Sequence, residues 1–231
     1  NFNIVYVDDC SPDGTAALVE NYVAQHPQGR RLTLIKNTER KGGIRNLYEV
    51  IHSLPDHDIV MEVDGDDWLA DEHVLTRINR WYWERPIWVT YGQYREYPSG
   101  RMGGAHEYPE DVIDNRWFRS YYMLALHPHT FYAGLFKKIR KEDLMHNGVF
   151  LEMTWDQAFT FPMLEMAGRA HFMRGIEVLY IYNRGNPLND DKVSRALQLE
   201  FERIVRSKSV YALLDEKVMA PIIEESERCA Q

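Results

Sequence analysis

The first hundred residues alternate strand and helix signals at a spacing that leaves few folds open. Ile4 to Val7 is a short β-branched run, and the turn-forming Ser11-Pro12-Asp13-Gly14 follows it. Leu18, Val19, Tyr22 and Val23 then recur at helical spacing up to His26-Pro27, and Leu32 to Ile35 reads as a second strand. Gly42-Gly43 opens a helix with Ile44, Leu47, Ile51 and Leu54 on one face, closed by Pro55. Ile59-Val60-Met61 is a third strand that stops in Asp64-Gly65-Asp66-Asp67. Val74, Leu75, Ile78, Trp81 and Tyr82 mark a third helix, and Ile87 to Tyr91 a fourth strand. Strands separated by helices of this length imply right-handed crossovers, so the chain is expected to be an α/β protein with a mostly parallel sheet flanked by helices.

Beyond Pro98 the pattern loosens. Pro98 to Asn115 reads as a loop, Trp117 to Leu126 as a helix, and Thr130 to Ile139 as either strand or helix. Trp155 to Ala167 is helical despite Pro162, with Gly168 as its stop, and Glu177 to Tyr182 is a late strand. Val193, Leu197, Phe201, Ile204, Val205 and Leu213 predict a C-terminal amphipathic helix across 190–214. No internal repeat or low-complexity linker interrupts the 231 residues, so one domain is expected.

Composition removes several function classes. The formal charge of −8 argues against a nucleic-acid partner, whose footprint would be basic. Cys10 and Cys229 cannot build a disulfide framework, which favours a reducing, cytoplasmic setting. No stretch is apolar enough for a transmembrane segment. Residue 1 is Asn and a core-strand pattern begins at Phe2, so a segment ahead of it is expected.

The chemistry concentrates in two carboxylate clusters, Asp8-Asp9 after the first strand and Asp64, Asp66 and Asp67 after the third. In an open parallel sheet the carboxyl ends of strands border the ligand crevice, so both clusters are expected in one cleft. Clustered carboxylates repel one another unless cations or hydrogen-bond donors sit among them. Hard oxygen ligands of this kind suit Mg2+ or Mn2+, ions that also engage substrate phosphates. A single Asp after a strand is ordinarily a turn former or cap; two clusters at successive strand ends weaken that reading.

Val7-Asp8-Asp9-Cys10-Ser11-Pro12-Asp13-Gly14-Thr15 resembles the DDxSxDGT segment of family 2 glycosyltransferases, which have the GT-A fold. Asn37 with Lys41-Gly42-Gly43-Ile44-Arg45-Asn46 resembles that family's next stretch, and Val63-Asp64-Gly65-Asp66-Asp67-Trp68-Leu69 its DxD motif. Thr154-Trp155-Asp156-Gln157, with 162–168 after it, resembles the acidic catalytic segment. Tyr180 to Asn183 and Asn186 to Asp190 resemble a flexible segment of some members. Cys10 stands where the family has Gly and Pro12 where it has Thr. The family's first strand and helix are absent ahead of Asp8.

The resemblance implies metal-dependent, inverting transfer of a sugar from a nucleotide-sugar, UDP foremost, to a hydroxyl of a glycan, lipid or protein acceptor. It implies that Asp8 or Asp9 binds the nucleotide base with Arg45 nearby. Asp64 would contact the ribose, Asp66 hold Mn2+ or Mg2+, and Asp156 serve as general base with Glu152 in reserve. It also divides the expected domain into a nucleotide-sugar-binding half (1–98), an acceptor and catalytic half (99–189) and a helical segment (190–231).

Other residues carry two readings each. Asp67 is a second metal contact or a turn cap. His127, His129 and Thr130 lie in the implied acceptor region, yet His beside Pro128 also reads as a loop hydrogen-bonder. Asn183, Asn186 and Asp190 form a lid or ordinary turns. Trp81, Trp83 and Trp88 read as core ahead of a sugar platform, and Phe159, Met163 and Met166 as the buried side of a helix. Lys137-Lys138 and Arg140-Lys141 read as a solvated face, with peripheral contact to an anionic membrane the sharper alternative. Among competing functions, a haloacid-dehalogenase-type phosphatase would want Thr or Val where Trp68 stands. A nucleotidyltransferase would leave 154–168 and 180–190 unexplained. A catalytically inactive nucleotide- or sugar-binding relative remains the alternative.

Overall fold

The computed structural model describes residues 2–187, 189, 192 and 194–230. Leu188, Asp190 and Val193, named above for the flexible segment and the last helix, lie outside the described residues. The chain divides into two compact units, Asn1–Ser53 and Leu54–Gln231.

In the first unit, β1 (Ile4–Asp8) pairs in parallel with β2 (Leu32–Lys36), Ile4 opposite Leu32 and Asp8 opposite Lys36. Between them runs α1 (Thr15–Gln25), and α2 (Gly43–Ser53) follows β2. This is the parallel unit the strand–helix alternation predicts. Gly42, at φ +84, takes the left-handed backbone that the turn into α2 requires and that glycine adopts without steric cost.

The second unit holds β3 (Ile59–Met61), β4 (Trp68–Leu69), α3 (Val74–Glu84), β5 (Val89–Tyr97), α4 (Glu110–Asp114), β6 (Leu126–Tyr132) and α5 (Ala133–Phe136). A small hairpin of β7 (Met145–His146) and β8 (Val149–Phe150) precedes α6 (Trp155–His171) and β9 (Phe172–Asn183). The chain closes with α7 (Arg195–Ser207) and α8 (Glu216–Ala230). Its sheet runs β3-β6-β5-β9-β4.

Here the pairing is mixed: β5 and β9 are parallel, while β3–β6, β5–β6 and β4–β9 are antiparallel. The α/β class stands, but periodicity marks strands without saying which neighbour each will take. One connection also bends the sheet. Met61 ends β3 on one edge and Trp68 begins β4 on the other. Laid flat, five strands would set those edges about 19 Å apart. Seven residue steps could span that only if nearly fully extended, and the linking segment is instead folded into a turn, with Asp67 N–H donating to Asp64 O at 3.1 Å. The sheet therefore curls, and its edges meet where the DxD residues lie.

Two expected elements differ, while Gly168 interrupts the helix after Ala167 as expected. Trp117 to Leu126 is a short 3-10 turn (Trp117–Ser120) leading into β6, with Phe118 and Arg119 both buried. The C-terminal helix is two helices joined by an extended strap. In that strap Tyr211 N–H donates to Glu165 Oε2 (3.0 Å) and Leu214 N–H to Met166 O (3.0 Å), bonds a continuous helix would forbid. Gly168, at φ +58 and ψ −174, breaks the helical path inside α6, and Leu213 packs where its Cβ would stand.

From Gln157 to Gly168 every residue of α6 is buried, so this is a core helix enclosed on all sides, with Phe159, Met163 and Met166 in its packing as expected and Gln157, Thr160 and Glu165 as buried polar residues among them. Trp88 is core, stacked on His171 at 3.9 Å, whereas Trp83 is exposed. Within the basic run, Lys137 Nζ donates to Leu54 O and Asp56 Oδ1 and Arg140 pairs with Asp143, while Lys138 and Lys141 are exposed. Among the described residues no helix is long and apolar enough to cross a membrane.

Candidate functional site

In the first unit Asp8 ends β1 and Asp9 follows it. The two behave differently. Asp9 is fully engaged: its Oδ1 accepts from Asn37 Nδ2 (2.7 Å) and Lys41 N–H (2.9 Å), and its Oδ2 from Gly42 N–H (2.8 Å). Burial works to raise its pKa, but hydrogen bonds from Asn46, Lys41, Gly42 and Asn37 outweigh it and hold the carboxyl at about 2. Asp9 thereby ties the β1 end to the turn that opens α2. Asp8, by contrast, is buried with its Oδ1 lacking a hydrogen bond. Arg45 sits half-exposed on α2 and pairs through Nε with Glu49 (2.9 Å). Cys10 is held at φ 63, a left-handed conformation costly for a residue with a side chain. That backbone accounts for the glycine at this place in the family the sequence resembles.

In the second unit the DxD residues occupy the turn between β3 and β4. Asp66 is exposed, and its Oδ2 accepts from Asn186 Nδ2 at 2.5 Å. Asp67 Oδ1 accepts from Asn183 N–H at 2.7 Å, so Asp67 pins the turn to the end of β9. Burial raises the Asp67 pKa, opposed by the Asn183 and Tyr180 hydrogen bonds. Asn183 and Asn186 thus belong to the DxD turn's own bonding, a connection their spacing alone does not disclose.

Asp64 turns inward. Its N–H donates to Tyr180 Oη (3.1 Å), and its carboxylate lies 3.9 Å from His127 Nε2. Burial, then the neighbouring Glu62 carboxylate, pushes Asp64 well above the usual range, against the pull of His127. His127 Nδ1 lies 3.5 Å from Glu62 Oε2. Burial would discharge His127, but Glu62, Asp64 and Asp156 surround it and raise it to about 9. His129 goes the other way, to about 4, because it is buried and beside the His127 charge. His127 also stacks on Tyr180 at 5.1 Å, and the two histidines lie on one face of β6 because strand side chains repeat every two residues.

Sequence reasoning missed Glu62, and it left the histidines between an acceptor-region role and loop hydrogen-bonding. The signal available was His-x-His, which within a strand places both rings on one side.

Asp156 stands in the first turn of α6, where a helix N-terminus favours a carboxylate, and its charge acts on His127. Thr154, two residues earlier, is at φ 57, and its Oγ1 donates to Gln198 O at 3.1 Å. A β-branched residue in that region is strained, and such strain gathers at functional sites. Glu152, the reserve, is exposed on the turn before it. Asp64, Asp66, Asp67 and Asp156 are thus carried at strand and helix ends of this one unit.

An arrangement of hard oxygen donors on an exposed turn fits Mn2+ or Mg2+, with Asp66 the accessible carboxylate. Among solved structures, the chain is similar to the mannosyltransferase PcManGT from Pyrobaculum calidifontis in complex with GDP-Man and Mn2+ (TM-score 0.54, 18% identity), covering 97% of this chain and 59% of that one. It is also similar to S. aureus TarS (TM-score 0.55, 18% identity), covering 98% of this chain and 37% of that one. A third is S. aureus TarS 1-349 in complex with UDP (TM-score 0.55, 16% identity), with 98% and 61% covered. The chain thus spans less than two thirds of each of these structures' chains. At these identities the likeness speaks for the fold, which is that of GT-A glycosyltransferases. No curated protein matches the sequence. The family model described as Glycosyl transferase family 2 matches residues 1–146, and with the fold in agreement, the chain belongs to that family.

Proposed function

We propose that the chain is a metal-dependent, inverting glycosyltransferase that moves a sugar from a nucleotide-sugar, a UDP-sugar foremost, to an acceptor hydroxyl on a glycan, lipid or protein. The observation that carries the reading is Asp66, an exposed carboxylate on a turn anchored by Asn183 and Asn186, in a chain of this family.

In this reading Asp66 holds Mn2+ or Mg2+ against the donor diphosphate. A divalent cation there supplies charge neutralisation for the leaving group. Asp64 contacts the ribose. Asp8, whose buried Oδ1 has no hydrogen bond, is the better placed of the first pair to receive a base N–H, while Asp9 shapes the loop and Arg45 lies on the helix that follows. Asp156 accepts the proton of the acceptor hydroxyl. A cytoplasmic setting accords with Cys10 and Cys229 both being free and exposed.

A thermal-shift panel of UDP, GDP, CMP and dTDP, each with Mn2+ and with a chelator, tests the reading on wild type and Asp66→Ala. A ligand at about a hundred times its Kd adds roughly 2.7 kcal/mol, worth several degrees in a chain of this size. The expected result is a Mn2+-dependent rise with one nucleotide that Asp66→Ala abolishes. A rise that persists in Asp66→Ala refutes the metal assignment. Binding with no turnover of any nucleotide-sugar favours the inactive relative instead.

A further inference from the structure

A second constellation lies beneath the DxD turn, and nothing in the proposed transfer uses it. Glu62, His127 and His129 each offer one ligand atom, and those atoms lie within 4.8 Å of one another. Glu62 is 8% exposed and His129 1%. Three of their atoms, Glu62 Oε2, His127 Nδ1 and His129 Nδ1, are buried without a hydrogen bond. His127 Nδ1 and Glu62 Oε2 meet each other only as a 3.5 Å ion pair, and His129 Nδ1 has no hydrogen-bond partner; buried polar atoms are seldom left so, and the cluster calls for an occupant.

The surroundings prepare the lone pairs. His129 Nε2 is 3.0 Å from Ala125 O, so that nitrogen carries the hydrogen and Nδ1 presents its lone pair. A backbone carbonyl on the far ring nitrogen is the usual outer partner of a metal-bound histidine. The rings are also fixed by packing, His127 on Tyr180 (5.1 Å) and His129 against Phe159 (5.5 Å). The carboxylates of Asp64 and Asp156 add negative charge around His127.

We propose that Glu62, His127 and His129 bind a divalent transition ion of the zinc class, at a site separate from Asp66. Two imidazoles and one carboxylate suit Zn2+, whereas the all-oxygen turn at Asp66 suits Mn2+ or Mg2+. Tetrahedral ligands with bonds of about 2.0 Å stand about 3.3 Å apart, so binding draws the three atoms inward by roughly an ångström. The ion takes the place of the proton that otherwise balances these carboxylates, and its fourth position is left to water. It ties β6 to the segment leaving β3, and so steadies the strand end from which the DxD turn departs. The proposal does not depend on the chain being an active transferase.

The test is metal binding by chelator-stripped protein, followed by zinc content after dialysis and by the visible absorption of Co2+ as a zinc substitute. Four proteins are compared: wild type, Asp66→Ala, Glu62→Gln and His129→Leu. Wild type and Asp66→Ala are expected to bind one equivalent with the strong absorption of a tetrahedral site. Losing an outer partner costs about 10–100-fold in affinity, so loss of a ligand in Glu62→Gln or His129→Leu should weaken binding at least that much. A Zn2+-dependent rise in thermal midpoint should vanish with it. Glu62→Gln keeps the side chain's shape, so it decides the matter if His129→Leu fails to fold. The proposal is overturned if wild type takes up no ion, if Asp66→Ala loses it, or if Glu62→Gln binds as wild type does.

Discussion

Replacing Arg119 by Met should be among the most damaging single changes in the second unit, and the structure says why. Arg119 Nε and Nη2 donate to the two oxygens of Glu165 at 2.6 and 3.0 Å, with the side chains 4% and 0% exposed. Nη1 donates to Val205 O (2.8 Å), and Tyr211 N–H donates to the same Glu165 carboxylate (3.0 Å). One guanidinium thus joins the 117–120 turn, α6, α7 and the strap after it. Removing it leaves a carboxylate in the core with one donor, a defect that costs about 3–5 kcal/mol. In a chain of this size that lowers Tm by roughly 10 °C.

The double variant Arg119→Met with Glu165→Leu should be more stable than the single one. It removes the stranded charge and leaves the Tyr211 N–H unpaired, at about 1–3 kcal/mol, while Val205 C=O still accepts from Lys208 N–H (3.3 Å). A pH signature accompanies this. Burial already raises the Glu165 pKa, with Arg119 opposing, and without Arg119 it climbs further. A carboxyl raised in the folded state loses stability as pH rises past its unfolded value, so the single variant's deficit should grow as pH rises above about 4.5. Urea denaturation followed by tryptophan fluorescence measures all of this. A deficit under about 1 kcal/mol, or a double variant no better than the single one, would refute the reasoning.

Asp9→Asn should loosen the β1–α2 turn. Asp9 has a depressed pKa, so its contribution is present above the unfolded value and lost as pH falls toward about 2. Solvent screening holds that contribution to about 1 kcal/mol, and the variant's deficit in thermal midpoint should therefore disappear at acid pH. Cys10→Gly should raise stability by about 0.5–1 kcal/mol, because relief of the φ 63 backbone exceeds glycine's entropic cost; a lower Tm would count against strain there. Asp156→Asn should keep nucleotide binding in a thermal-shift assay while transfer falls by about 10²–10⁴-fold; transfer at the wild-type rate would remove Asp156 as the base.

Local pattern carried a good deal of the molecule. The strands at Ile4 and Leu32, the helices opening at Gly43 and Val74, and the DxD turn after Met61 are each set by side-chain period and turn chemistry within a dozen residues. The motifs that resemble family 2 were legible for the same reason: they are contiguous. The length of the C-terminal helix was not, because Tyr211 and Leu214 give up helical bonds for partners on α6, and an amphipathic pattern does not record that exchange. Nor was the 117–126 region, whose aromatic residues fill a corner around Tyr108 instead of forming a helical stripe.

The sequence by itself determined which residues share a face of an element, Ile44 with Ile51 along one helix, and set Asp66 at the open end of a turn. Tertiary structure alone decided what those faces meet. That β3 lies beside β6, that β4 returns to β9 across a curled sheet, and that Glu62 therefore faces two histidines are outcomes of strand pairing. The physical reason is range. Dihedral preference and side-chain period act over a few residues, whereas the choice of neighbouring strand follows from burying the whole core at once.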